Sequence, residues 1–208
     1  MRPLTPLVWL MLACAPLAAC DQPTKPADAT APATDADNYA TIQMKTDASF
    51  LNAEERQVVN LLIQAAGQMT AIYDKQRVAQ GGADGPGHGF YPAGMTKADF
   101  ESYLAAHPDQ KAALMDTYTV VRREGDRLVA VPYSVEYKAE LEKAAALLEQ
   151  AAAITTNSSL KRFLTLRATS FRTNDYFQAE MAWMDLSGTP IEVAIGPYET
   201  YTDEMMGQ

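Results

Sequence analysis

Residues 118–152 read YTVVRREGDRLVAVPYSVEYKAELEKAAALLEQAA, and this stretch decides the fold class. Tyr118 to Arg123 and Leu128 to Tyr133 are rich in Val and Tyr and flank Glu124-Gly125-Asp126, the pattern of a β-hairpin. From Ser134 the period changes. Tyr137, Leu141, Ala144, Leu148 and Ala152 now recur on one face of an Ala-rich helix. Towards the C-terminus, Asn157-Ser158-Ser159 caps a further helix with Leu160, Phe163, Leu164 and Phe171 as its stripe. Tyr176 to Trp183 reads as another helical stretch, and Ile191 to Tyr198 as a C-terminal strand interrupted by Gly196-Pro197.

Towards the N-terminus, Asn52 with Glu55 three residues on makes a capping-box pattern. Val58, Leu62, Ala65, Met69, Ile72 and Tyr73 then follow at helical spacing. The Gly-rich run from Gly81 to Gly89 ends that helix, and Thr96 caps another through Leu104, with Pro108 near its end. The class expected is α+β, mainly helical. Residues 50–208 are enough for one modest domain, and no internal repeat is present.

Residues 20–49 differ in kind. They are rich in Pro, Ala, Thr and Asp and poor in apolar residues until Ile42, so they cannot bury enough surface to offset ordering entropy. A flexible tether is expected there. Residues 1–19 open with Arg2, continue with an apolar run from Leu4 to Leu17, and end in small residues, which is the layout of an export signal. The run is too short to span a bilayer, which needs roughly 20 apolar residues.

Leu17-Ala18-Ala19-Cys20 resembles the bacterial lipobox, which implies lipid on the Cys20 sulfur and cleavage before it. An ordinary signal cut near Ala19, with Cys20 a plain thiol, is the other reading. Acyl chains anchor stably when two signals combine, so the expected location is the bacterial cell envelope, on a membrane and facing the periplasm. Asp21 bears on inner-membrane retention in enteric bacteria only, so inner versus outer membrane stays open. Of the two cysteines, Cys14 leaves with the signal, which leaves no thiol for a disulfide or a nucleophile once Cys20 is lipidated.

The chain carries a net charge of −9, and losing Arg2, the one charge in residues 1–19, takes it to −10. An acidic chain without clustered Lys and Arg is not expected to bind nucleic acid. Arg122-Arg123 and Lys161-Arg162 are isolated pairs, expected on solvated faces. His88 and His107 have no second His or Cys at ligand spacing, so no zinc motif is present. No Gly-x-Ser-x-Gly elbow occurs, and the glycine run matches neither a Walker loop nor a dinucleotide fingerprint. Asp185, Glu192, Glu199, Asp203 and Glu204 crowd the C-terminal segment, but the residues alone assemble no catalytic site.

Several blocks, in order, carry a resemblance. They are Gly89-Phe90-Tyr91-Pro92 with Met95-Thr96-Lys97, then Tyr118-Thr119-Val120-Val121, Val131-Pro132-Tyr133-Ser134, and Ala151-Ala152 with Asn157-Ser158-Ser159-Leu160. Asn174-Asp175-Tyr176 leads on to Ala182-Trp183-Met184-Asp185, and the most specific block is Ile195-Gly196-Pro197-Tyr198-Glu199-Thr200-Tyr201-Thr202-Asp203. Across residues 50–208 the chain resembles the N-terminal portion of the dipeptidyl-peptidase III family of zinc metallopeptidases, particularly its bacterial members.

The resemblance implies a two-lobed exopeptidase that removes dipeptides from the N-terminus of short peptides. The family's zinc is held by an H-E-x-x-x-H or H-E-x-x-x-x-H helix and a later Glu, none of which this chain contains. It implies zinc as the complete enzyme's cofactor, with none bound by this chain, no hydrolysis by it, and a missing catalytic portion or a separately encoded partner. A truncated reading frame or partial record is the expectation. The rival is a non-catalytic envelope lipoprotein that binds peptides or docks a partner. By the resemblance, Glu192 holds the substrate's free amino group, while Glu199 and Tyr201 shape the cleft or the strand-to-helix turn. Animal members place a Tyr where this chain has Ala194.

Overall fold

Asn52 and Glu55 open the first helix by exchanging bonds. The Asn52 N–H donates to Glu55 Oε2 at 2.7 Å, and the Glu55 N–H donates to Asn52 Oδ1 at 2.9 Å. Such a cap is worth about 1 kcal/mol. It starts α1 (Ala53–Arg77), which buries Val58, Leu62, Ala65, Ile72 and Gln76. Tyr73, expected on the buried stripe, is instead 39% exposed. The computed structural model describes residues 46–77, 88–198 and Met206. The described residues from Asp47 onward belong to one compact unit.

A 3-10 turn (His88–Phe90) presses on the end of α1. A Cβ on Gly89 would lie 2.0 Å from the Lys75 carbonyl oxygen and 2.6 Å from Gln76 Cα, so only glycine fits this approach. Helix α2 (Lys97–Ala106) is capped by Thr96 as expected, and Asp99 completes a capping box with it. One further turn, α3 (Lys111–Leu114), was not foreseen. Strands β1 (Thr119–Glu124) and β2 (Arg127–Pro132) pair antiparallel, with Glu124 opposite Arg127. Gly125, at φ +61, opens the two-residue loop between them.

The helix expected from Ser134 is split into α4 (Tyr133–Glu136) and α5 (Lys138–Ile154). Tyr137 leaves helical angles between them, at φ −106 and ψ 25, while its ring packs 5.4 Å from Tyr133. Asn157 caps α6 (Ser158–Thr173) by accepting from the Leu160 N–H at 2.9 Å. Asn174 ends it in the left-handed region at φ 65, where a short polar side chain is tolerated. Its amide also ties neighbouring elements, accepting from the Ser134 N–H at 3.2 Å and donating to the Tyr118 carbonyl at 3.1 Å. Helix α7 (Phe177–Met184) closes the helical series.

The core is a helical layer with α5 packed between α1 and α6, and α7 laid on α6. The hairpin lies against the 3-10 turn and α3. The fold is α+β and mainly helical, with one two-stranded sheet among the described residues. The C-terminal strand is the correction. Residues 191–196 join no sheet, because no strand edge runs beside them among the described residues. No helix of the described residues is long and apolar enough to cross a membrane.

Candidate functional site

The segment from Ile191 to Tyr198 is irregular yet firmly placed. Burial alternates along it: Ile191 and Ile195 are buried, Val193 is half-buried, and Glu192 and Ala194 are exposed. That is the period of an extended chain, so Glu192 and Ala194 share its outward face.

Its approach is held by the start of α6. Asn157 Nδ2 donates to the carbonyls of Ser187 and Gly188, both at 2.9 Å, and Ser159 Oγ donates to Ser187 at 3.0 Å. Gly188 takes φ +65 there, a turn conformation that glycine adopts without strain.

The far end is held by two buried polar side chains. Gln76, 1% exposed at the end of α1, donates from Nε2 to the Pro197 carbonyl at 2.7 Å. Arg167, 2% exposed on α6, donates to the Tyr198 hydroxyl and to Glu180 Oε1, the latter at 2.8 Å. Tyr198 in turn donates to the same Glu180 oxygen. The Arg167 guanidinium also sits over the rings of Phe163, Tyr198 and Tyr176 at 5.4, 5.7 and 5.8 Å. A charge this buried must be paired, and here one carboxylate, one hydroxyl and three ring faces share that task. Gly196 completes the latch, since a Cβ there would meet the Tyr198 ring at 2.5 Å.

Burial raises the Tyr198 phenol above the ordinary tyrosine range, and the hydrogen bond it gives to Glu180 adds to this. Burial likewise raises Tyr176 and Tyr137. A raised folded pKa favours the neutral phenol, so this stabilisation is complete below about pH 10, the unfolded value, and is lost as pH rises through the folded values. Alkaline titration is therefore expected to couple ionisation of Tyr137, Tyr176 and Tyr198 to loss of helix. Titration of all ten tyrosines near pH 10 with helicity intact would contradict this reading.

Among the sequence-derived candidates, Glu192 is described and exposed, with no hydrogen bond or ion pair among the described residues. Glu199, Tyr201 and Cys20 lie outside the described residues. Arg122 is not the solvated cation expected. It donates to the Gly89 carbonyl at 3.0 Å and pairs with Glu136 at 2.5 Å, joining the hairpin to the 3-10 turn and α4. Arg167 and Gln76 were missed, although each occupies a stripe position, Arg167 between Phe163 and Phe171 and Gln76 one turn after Ile72.

No cluster of three or more His, Cys, Asp or Glu among the described residues could hold a metal ion. The His107 ring stacks on Tyr103 at 4.0 Å, with Nδ1 3.0 Å from the Tyr103 carbonyl oxygen. These residues do not fit a zinc centre. What the segment does offer is an outward carboxylate on an extended backbone, with an apolar floor beneath it.

No protein-family model matches the chain. A dipeptidyl-peptidase III structure from Caldithrix abyssi is 35% identical at a TM-score of 0.75, covering 81% of this chain and 40% of its own. The dipeptidyl-peptidase III of Corallococcus sp. strain EGB is 32% identical at a TM-score of 0.66, covering 74% and 37%. Nudix hydrolase 3 of Arabidopsis thaliana is 33% identical over 144 residues, covering 59% of this chain but only 18% of that protein. The chain is thus related in sequence and fold to dipeptidyl-peptidase III, and it spans about two fifths of the length of those solved structures.

Proposed function

We propose that this relative of dipeptidyl-peptidase III is the N-terminal, substrate-receiving part of a zinc-dependent exopeptidase, and that Glu192 receives the free amino group of a peptide. The carrying observation is that Glu192 stands unpaired among the described residues on the outward face of a segment fixed at both ends. An unpaired carboxylate on a rigid edge suits an ammonium ion, because a charged hydrogen bond outweighs a neutral one. In a complete dipeptidyl-peptidase III, zinc would supply an acidified water and a polarised scissile carbonyl, and no cluster among the described residues of this chain would hold it. The share of this chain is recognition, and on its own it releases no dipeptides. Lipid on Cys20 and an envelope location, facing the periplasm, belong to the same proposal.

The expected magnitude is modest. An exposed ion pair is worth about 0.2–1 kcal/mol, a preference of roughly fivefold at most. Enclosure by a second wall would raise the charged hydrogen bond to about 1.5–3 kcal/mol, tenfold or more. Fluorescence anisotropy with a labelled tetrapeptide tests this. The chain should favour the free-amine peptide over its N-acetyl form by a few-fold, and Glu192→Gln should abolish the preference. A preference that survives Glu192→Gln would remove Glu192 from the role.

A further inference from the structure

Helix α7 is built the wrong way round for a helix facing water. Its small residues, Ala179 and Ala182, are buried on the α6 side. Its large apolar residues face out: Phe177 is 66% exposed, Met181 42% and Met184 72%. Their i, i+4, i+7 spacing places all three on one face. Val135, 61% exposed, follows Ser134, which is bonded to Asn174 just ahead of the helix. A helix that is apolar on both faces is one that normally lies between two layers. Only one layer is present among the described residues.

Building on the peptidase reading, we infer that the Phe177–Met181–Met184 face docks the part of a dipeptidyl-peptidase III-like fold that residues 1–208 leave unmatched. The C. abyssi structure leaves 60% of its length without a counterpart here, since the match covers 40% of it. A polypeptide layer of that size is enough to cover one two-turn helix. The rim favours protein over lipid, because its charged residues include the acidic Glu180 and Asp185, the latter paired with Arg162 at 2.9 Å. An anionic bilayer would call for unpaired cations along that edge.

The test is co-expression of the full chain with the unmatched portion of the C. abyssi enzyme, followed by co-purification. The two should come through together, and Met184→Glu or Phe177→Gln should cut recovery at least tenfold. Ile63→Glu, at an exposed apolar position on α1, should leave recovery unchanged. Melting curves of the variants should match wild type, because these side chains are already solvated. Failure of wild type to co-purify, or a complex indifferent to the α7 variants, would overturn the docking face. A homodimer dissociated by Met184→Glu, or vesicle binding by a Cys20→Ser chain lost with Met184→Glu, would overturn the stated occupant. An α7-dependent complex whose amine preference ignores Glu192→Gln would leave docking standing and defeat the recognition role.

Discussion

Glu180→Ala is expected to lower the unfolding free energy by about 3 kcal/mol, the lower end of the cost of breaking a buried ion pair. Glu180 is itself 41% exposed, so the penalty lies elsewhere. It falls on Arg167, whose side chain is 2% exposed and would be left as an uncompensated charge. The Tyr198 hydroxyl and three ring faces remain to it, which keeps the loss from the upper end of the range. Arg162–Asp185 provides the control, with side chains 52% and 61% exposed. Asp185→Ala should cost no more than about 1 kcal/mol. Urea unfolding of the two variants decides the matter, and equal small losses would mean that Arg167 is not a buried charge. In the Glu180 variant, amide exchange at Ile195 to Tyr198 should also quicken, since that hydroxyl pins the segment.

Gly89→Ala is expected to be as damaging, at about 3 kcal/mol, the upper end of ordinary overpacking. The added methyl would stand 2.0 Å from a backbone oxygen and 2.7 Å from a backbone carbon, and neither can rotate away. Either the 3-10 turn or the end of α1 must move. Two contacts register that movement directly: the bond from Arg122 to the Gly89 carbonyl and the bond from Gln76 to Pro197. Thermal melting should show the loss. A melting temperature within a degree or two of wild type would contradict the close approach.

Much of this architecture was legible in the sequence because it depends on neighbours. Asn52, Thr96 and Asn157 are caps whose partners lie three residues on, and all three were read as caps and form. The hairpin announced itself through Gly125 between two runs of β-branched residues. Contacts between distant residues were not legible. Gln76 meets Pro197 across 121 positions and Arg167 meets Tyr198 across 31, and no local pattern encodes either. The expected strand at Ile191 failed for the same reason: burial alternates along the segment, but a strand also needs a partner edge, and none lies beside it among the described residues. Of the candidate site, Glu192 was reached only through family resemblance, and the clamps that make its position rigid came from the fold. The α7 face was hidden by its composition, because an apolar stripe in sequence does not say which side faces the core.

The central claim is that residues 191–198 form a rigid edge receiving a peptide's amino end. Its most direct measurement is a titration of the isotopically labelled chain with a free-amine tetrapeptide, followed by backbone amide resonances. The account predicts shifts concentrated from Ile191 to Tyr198, centred on Glu192 and much reduced with the N-acetylated peptide. Shifts elsewhere in the domain, or equal shifts with both peptides, would contradict it.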